Sequence, residues 1–325
     1  MLKGSGSGLS GCVSLGVLSE PPPREWTVEG LVPKGVISVL AGHSGLGKSY
    51  LALILAICVC TGRAFLGRDV KPGPVLWIDR ELDQDETTRR AYAVARGIGI
   101  DRPPQRLHYI YPSAPIGSDV AQDEVLAAVE QTGAVLCVLD SLTLGSLGDA
   151  KEQHEVVPVM RQIEQWGTTL AIDHITKRAA AGNQSSATIF GSGMKRAFAR
   201  STFHLTPAGE ALTLRTDKSN FGPGSDPIHL AIEHDRDEEG GPLVLCRQLE
   251  LRDPLLAGAG DHMPAHEQTL LVLIQLYEDG QTPVSRDILA SERDLSVRTI
   301  QNHVTKLGAR VEKHGNHTYA PACAK

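Results

Sequence analysis

At 325 residues the chain is long enough for one large domain and a smaller one. Its hydrophobic share of 41% and charged share of 22% are typical of a soluble globular protein. The net charge of −6 excludes a uniformly basic nucleic-acid binder, and the aromatic share of 4% disfavours an extended stacking platform for single strands. The six cysteines include no CxxC pair, and no charged-then-apolar leader is visible, so we expect reduced thiols in a cytoplasmic protein that does not enter a membrane.

The first part of the chain, residues 1–24, is rich in Gly and Ser, ends close to "PPP", and is predicted to be a flexible tail. From 25 to 252, strand-like runs alternate with helical stretches, which predicts an α/β domain with a parallel sheet flanked by helices. The predicted strands lie in "GVISVLAG", "GPVLWIDRE", "RLHYIYP", "AVLCVLDSL" and "TTLAIDHIT". The predicted helices lie near 49–61, 84–98, 119–131 and 152–166. Later segments, "RSTFHLTPAGEALTLRTDKSN" and "DPIHLAIEHD" with "PLVLCRQLEL", predict hairpins that form an antiparallel extension.

The segment "GHSGLGKS" follows an apolar strand and precedes an apolar helix. It fits the pattern GxxxxGK[ST] without a mismatch, and in this context the pattern predicts a P-loop. Its glycines let backbone N–H groups converge on phosphate oxygens, Lys48 reaches the β- and γ-phosphates, and Ser49 holds Mg²⁺. ATP and Mg²⁺ are therefore the expected cofactors. The candidate nucleotide-binding residues are Gly42, His43, Ser44, Gly45, Leu46, Gly47, Lys48, Ser49 and Tyr50.

Acidic residues end the next predicted strand, "VLWIDRE", at the sheet edge where ligands bind. Glu81 is the candidate that polarises the water attacking the γ-phosphate, and Asp79 is a weaker one. The alternative is that "DRELDQDE" is a solvated acidic loop of equivalent carboxylates.

Two further strands end in polar residues. "AVLCVLDSL" places Asp140 after four apolar residues, which is the Walker B arrangement that positions Mg²⁺, together with Ser49. "TTLAIDHITKR" ends in His174, which can sense the γ-phosphate and report it to the segment that follows. An ordinary strand-end histidine is the alternative.

In this order, a P-loop, a strand-end glutamate, "LDS" and a polar strand end resemble the RecA-like ATPase core over roughly residues 24 to 250. More narrowly, "WTVEGLVPKGVISVLAGHSGLGKS", "GPVLWIDRE" and "DHITK" resemble the RepA-type hexameric helicases of plasmids, which are related to DnaB and KaiC. The resemblance implies a RecA-like fold and a ring, hexamer favoured, with ATP held between subunits. It implies that Glu81 is the catalytic base and His174 the phosphate sensor.

The resemblance also implies a basic residue that completes the site of the next subunit. The segment "GSGMKRAFARSTFHL" offers Lys195, Arg196 and Arg200, of which Arg200 fits the family pattern best. "DKSNFGP" resembles the DnaB-like K-x-R-N-G-P segment and adds Lys218, but Asn220 stands where that pattern has arginine, which shifts weight to Arg200. Solvated surface charges are the alternative for each of the four candidates.

Two segments are expected to face the pore of such a ring. The segment 177–190 is rich in small residues and begins with Lys177 and Arg178, as a single-strand-binding loop would. The segment 145–155 is neutral to acidic, which weakens the DNA interpretation. A loop without any ligand is the alternative for both.

Gly, Ala and Pro residues predict a linker over 253–265, and the pattern over 266–325 predicts three helices and a β-wing, a winged helix-turn-helix domain. Its basic residues fall late in the sequence, so duplex DNA is an expected partner, with protein contacts as the alternative. A metal site of His314, His317 and Cys323 is disfavoured, because a hairpin explains their spacing. The candidate DNA contacts on the presumed recognition helix are Arg298, Gln301, Asn302 and Lys306.

Three functions fit these patterns. The leading hypothesis is an ATP-driven ring motor on single-stranded DNA, a helicase in the replication of a plasmid, phage or mobile element. The second is an ATP-gated DNA-binding regulator or loader without unwinding activity. A KaiC-like signalling ATPase with a protein-interaction module is the third.

Overall fold

The computed structural model describes residues 13–142, 153–174, 193–222, 224–250, 265–278, 283–293, 295–314 and 318–322. The predicted strand-binding segment 177–190, with Lys177 and Arg178, lies outside these described residues, as does most of segment 145–155. Nearly all of the predicted linker, and the residues His317 and Cys323, also lie outside them.

A nine-stranded sheet forms the centre of the larger part of the molecule. The strands described before residue 250 are β1 (Trp26–Val28), β2 (Val32–Pro33), β3 (Ile37–Gly42), β4 (Val75–Asp79), β5 (Leu107–Ile110), β6 (Leu136–Asp140), β7 (Thr169–His174), β8 (Ser201–Ala208), β9 (Ala211–Ser219), β10 (Ile228–Arg236) and β11 (Pro242–Gln248). The sheet order is β11-β10-β9-β8-β3-β7-β6-β4-β5. The six strands from β8 to β5 in this order are parallel, whereas β9, β10 and β11 pair in antiparallel fashion. The predicted α/β fold with an antiparallel extension is confirmed.

Helices cover both faces of this sheet. They are α1 (Lys48–Thr61), α2 (Gln84–Gly97), α3 (Asp119–Thr132), α4 (Gln153–Glu164) and α5 (Gly193–Phe198). Because successive side chains of a strand point to opposite faces, β7 divides its residues between two cores. Leu170 and Ile172 join the core around α1, and Ala171 joins the core around α4.

Helix α1 is enclosed on all sides. Every residue from Leu51 to Cys60 is buried, which is the pattern of a helix that is apolar all round. The enclosure comes from the antiparallel extension, because the edge strand β11 contacts both α1 and α2. At the end of α2, a Cβ built on Gly97 would lie 1.9 Å from the carbonyl oxygen of Val244 in β11. The sheet therefore curls around α1 and closes against α2.

The C-terminal part contains α6 (Ala265–Glu278), β12 (Val284–Ser285), α7 (Arg286–Glu292), α8 (Val297–Leu307), β13 (Val311–His314) and β14 (Thr318–Pro321). Strands β12, β14 and β13 form a small antiparallel sheet in that order. Helix α8 buries Ile300, His303, Val304 and Leu307 in a separate apolar core. This element order agrees with the predicted three helices and hairpin, while the assignment as a winged helix-turn-helix, and the domain limits, stay predictions.

Two features between residues 25 and 250 were not predicted. The short strands β1 and β2 pair with each other ahead of β3, and the six-residue helix α5 precedes β8. Both are too short to produce a readable periodicity. None of the helices in the described part of the chain has the length and apolar character that crossing a bilayer requires.

We expect Gly97→Ala to destabilise the protein, because the new methyl group meets the β11 backbone, which cannot give way as a flexible side chain can. The expected loss is about 1–3 kcal/mol in urea unfolding, reduced by the roughly 1 kcal/mol that alanine gains in a helix. Thr88→Ala on the exposed face of α2 is the matched control and should change little. A stabilised Gly97→Ala variant would contradict the described α2–β11 contact.

Candidate active site

The loop from Gly42 to Gly47 turns the chain sharply from β3 into α1. Gly47 has a φ of 80°, in the left-handed region that favours glycine. A Cβ on Gly42 would lie 2.7 Å from the carbonyl oxygen of Leu205 on the neighbouring strand β8. Glycine is therefore required at both ends of the loop.

Helix α1 begins without a side-chain cap. Helices α2 and α3 begin with Asp83 and Ser118, each of which accepts a hydrogen bond from a first-turn N–H group. At α1 the N-cap is Gly47, and no side chain caps it among the described residues. The first N–H groups of a helix need an acceptor and carry partial positive charge, so they suit the oxygens of a phosphate.

Lys48 is 5% exposed and satisfies its ammonium within the loop. Its Nζ donates to the carbonyl oxygens of Gly42 at 3.0 Å and His43 at 2.8 Å, and it lies 3.4 Å from Nδ1 of His174. Burial lowers the pKa of Lys48, and the negative charges of Glu81 and two aspartates oppose that shift. A phosphate that takes the place of the loop carbonyls would compensate this buried cation better than neutral oxygens do.

The predicted polar strand ends meet at one edge of the sheet. In the register, Gly42 lies opposite His174, and Asp79 lies opposite Asp140. Because β3, β7, β6 and β4 are adjacent and parallel, their carboxyl ends border a common cleft. The cleft has a volume of about 270 Å³. It is lined by Ser44, Gly45, Gly47, Lys48, Ser49, Tyr50, Glu81, Arg90, Ile172, His174 and His234.

Asp140 and Ser49 fit a magnesium ion. Asp140 is 1% exposed, and the neighbouring Ser49 side chain partly opposes the upward shift of its pKa. Within the described residues, its Oδ1 is buried without a hydrogen-bond partner. Burial, with the charges of Glu81 and Asp79, raises the pKa of Asp140 to about 7. A hard divalent cation with oxygen ligands would relieve this desolvated carboxylate.

Asp79 and Glu81 have different surroundings. Asp79 is fully buried, and its Oδ1 accepts from the backbone N–H groups of Glu81 at 2.9 Å and Leu82 at 2.8 Å. Its Oδ2 accepts from Thr87 Oγ1 at 2.6 Å and Trp77 Nε1 at 3.2 Å. Asp79 therefore holds the turn after β4. Glu81 is exposed and borders the cleft, so it is the acid that a water molecule can reach.

His174 is held neutral. Burial and the charge of Lys48 lower its pKa, while Glu81 and Asp173 oppose that shift less strongly. A neutral imidazole carries one N–H donor, and Nδ1 lies within reach of the Lys48 ammonium as an acceptor. That assignment leaves Nε2–H as the group that can donate to a ligand.

The cleft also contains residues that the sequence did not indicate. Arg90 of α2 lies over the ring of Tyr50 at 5.2 Å and pairs with Glu86 at 3.1 Å. His234 of β10 meets the Tyr50 ring edge to face, with the centroids 4.9 Å apart. No motif signals His234, because only the curl of the antiparallel extension brings β10 to the loop.

The four basic candidates lie away from this cleft. Lys195 is 1% exposed and pairs with Asp173, which argues against its reaching another subunit. Arg196 pairs with Asp217 at 2.9 Å. Lys218 donates to three carbonyl oxygens at the end of α5, including that of Ala199 at 2.7 Å.

Arg200 differs from the other three candidates. Its side chain is half-buried and makes no hydrogen bond or ion pair within the described part of the chain. Its backbone N–H donates to the carbonyl oxygen of Ile37, at the opposite end of β3 from Gly42. Of the four candidates, it has the cation that is not already engaged.

The candidate DNA contacts on α8 divide into two groups. Arg298, Asn302 and Lys306 are exposed on the face opposite the core. Gln301 is half-buried, and its Oε1 accepts a hydrogen bond from Tyr319 Oη of β14 at 2.9 Å. This oxygen is therefore already bonded to the small sheet.

A protein-family model for AAA domains matches residues 9–180, which is more than half of the chain. The chain belongs to the AAA domain family. Together with the fold, this match supports a P-loop ATPase of the RecA-like kind. Nucleotide binding, usually with Mg²⁺, is implied for an AAA domain. A comparison with curated proteins found no match.

The pKa of Asp140 predicts opposite effects of Asp140→Asn on stability and activity in this AAA domain. Because the folded pKa of about 7 exceeds the reference value of 3.8, folding is penalised once the carboxylate ionises, so stability falls as the pH rises through this window. Asparagine removes the penalty. We expect the free energy of unfolding to increase by up to about 4 kcal/mol at pH 8 and by only about 1 kcal/mol at pH 4.5, measured with urea without ligands.

The same substitution should abolish magnesium-dependent hydrolysis. Asp123→Asn, at an exposed acid on α3, is the matched control and should change stability little at either pH. Equal stabilisation by Asp140→Asn at both pH values would show that the carboxylate is not desolvated in the free protein.

Proposed function

We propose that the protein is an ATP-hydrolysing, DNA-associated motor, and more narrowly a helicase of the RepA type. It would work as a ring of identical chains, with a hexamer favoured. The observation that supports this proposal is the position of Arg200. Its backbone hydrogen-bonds Ile37, which precedes Gly42 at the start of the P-loop by five residues of β3. At the rise of a strand, these five residues span about 16 Å. An arginine so placed suits the site of a neighbouring chain better than its own.

In this proposal each residue has one role. Lys48 and the uncapped start of α1 hold the phosphates, and Ser49 with Asp140 hold Mg²⁺, which when bound neutralises developing charge. Glu81 orients and polarises the attacking water, and His174 donates to the γ-phosphate. Arg200 of the neighbouring chain then stabilises the charge that develops in the transition state.

The C-terminal part supports a DNA partner. As a winged helix-turn-helix it would place α8 in the major groove, with Arg298, Asn302 and Lys306 toward the duplex. This exposed polar face also favours a second candidate function, an ATP-gated DNA-binding regulator or loader. We propose a cytoplasmic location for either function.

The decisive experiment measures the ATPase rate against protein concentration, with and without single-stranded DNA. The proposal predicts a rate per chain that rises with both, and a loss of about 10³-fold or more in Lys48→Ala and Arg200→Ala. Arg102→Ala, at an exposed arginine far from both motifs in the sequence, is the control and should match the wild type.

Mixing separates a trans-acting arginine from a structural one. Arg200→Ala chains keep an intact Glu81, and Glu81→Ala chains keep an intact arginine. A one-to-one mixture should therefore regain about a quarter of the wild-type rate, since about that share of head-to-tail contacts joins the two intact halves. A rate that is flat with concentration and indifferent to DNA rejects the motor.

The contribution of α8 is tested by Arg298→Ala and Lys306→Ala, with binding to duplex DNA measured over a range of salt. Each lost phosphate contact should lower the slope of log K against log salt by about 1 while the DNA-independent ATPase rate is unchanged. Unaltered duplex binding would favour the alternative that this module contacts proteins. Strong preference for one duplex sequence would favour the regulator.

A further inference from the structure

A buried ion pair connects β7 to α5. Asp173 Oδ2 accepts from Lys195 Nζ at 3.0 Å, and the two side chains are 0% and 1% exposed. Neither residue of the pair is among those that line the nucleotide cleft. It joins two positions that are 22 residues apart in the chain, one just before His174 and one at the start of the segment that leads to Arg200.

The last two residues of β7 place their side chains on opposite faces of the sheet. Asp173 and His174 are consecutive in a strand, so their side chains point in opposite directions. His174 reaches Lys48 on the α1 face. Asp173 reaches Lys195 on the other face, where Ala199 joins the core around α4. A shift of this strand end therefore moves groups on both faces together.

Several contacts hold the segment 193–200, among them the Arg196–Asp217 pair described above. Lys195 holds its beginning through Asp173. Lys218 holds its middle by donating to carbonyl oxygens at the carboxyl end of α5. At its end, the backbone N–H of Arg200 donates to Ile37 at 2.9 Å. The contact of Lys195 joins the segment to the carboxyl end of β7, beside His174, whereas the contact of Arg200 joins it to the amino end of β3.

We infer that the Asp173–Lys195 ion pair couples the state of a chain's own nucleotide cleft to the position of its segment 193–200. The pair is a positioning element and contacts no reacting atom. That this movement reaches the site of a neighbouring copy through Arg200 rests on the proposed function; the coupling inside one chain does not.

The physical basis is the low dielectric around the pair. With both charges shielded from water, their attraction is strong and depends steeply on distance, so Lys195 follows Asp173 when β7 shifts. His174 accepts from the same ammonium that a phosphate would engage, so ligand binding changes the contacts at the end of β7. Coupling of this kind typically changes an equilibrium between 5- and 150-fold, roughly.

The test is hydrogen–deuterium exchange of the full-length chain, diluted so that it is not assembled, with and without Mg²⁺ and a nonhydrolysable ATP analogue. In the wild type the analogue should change the exchange rate of peptides covering 193–200 by about fivefold or more. In Lys195→Met this response should be lost, although the analogue still binds. Arg196→Ala, an exposed neighbour in the same helix, is the matched control and should keep the response.

Loss of the ammonium beside the buried Asp173 carboxylate could unfold Lys195→Met, so a double variant keeps the inference falsifiable. Asp173→Asn with Lys195→Met removes both charges of this pair. We expect this variant to fold, to bind the analogue and to lack the response. A wild-type response in the double variant, or no response in the wild type, overturns the inference.

Failure of the coupling and failure of the proposed function are distinguishable. The exchange experiment uses the unassembled chain, whereas the motor is judged by the concentration-dependent ATPase rate and by mixing of variants. A chain that keeps the exchange response but fails in mixing retains the coupling and loses the motor.

Discussion

The desolvated ammonium of Lys48 is the constraint on which the rest of the structure depends. A buried cation is tolerated only where acceptors and opposite charges surround it. The loop carbonyls of Gly42 and His43 provide the acceptors, and Glu81 and Asp140 provide nearby negative charge. Both arise from the parallel sheet, because parallel strands place their carboxyl ends, and the polar residues that follow, at one edge. The site is therefore a property of strand direction as much as of the P-loop motif.

The antiparallel extension encloses the helix that follows the P-loop. Strand β11 closes against α2, and the resulting enclosure buries α1 along almost its whole length. Strand β10 meanwhile brings His234 to the cleft and Ile232 to within 3.0 Å of a Cβ position on Gly47. Low dielectric strengthens every interaction in the cleft. It also raises the pKa of Asp140, so the free protein carries a carboxylate that favours a cation or a proton.

What the sequence could predict was local. The motif around Lys48 predicts the backbone geometry of the loop directly. Apolar runs that end near Glu81, Asp140 and His174 locate strand ends, and these ends must converge if the strands are parallel. Arg90 and His234 could not be found this way, because their places depend on how far the sheet curls. The sequence ranked Glu81 above Asp79, but the reason needed the structure, in which four hydrogen bonds make Asp79 the residue that holds the turn.

The contacts of the basic residues also could not be predicted from the sequence, and these contacts bear on how the chains would assemble. The family resemblance favoured Arg200 over Lys195 and Lys218, and the structure adds that burial engages Lys195 and a helix end engages Lys218. Arg200 remains, and its backbone lies beside the amino end of β3, the strand whose carboxyl end leads into the P-loop. If Arg200 completes a neighbour's site, the contact joins unlike surfaces of two identical chains, and repeating it head to tail closes a ring or grows a filament. The polarity of the parallel strands would then set the direction in which the subunits follow one another.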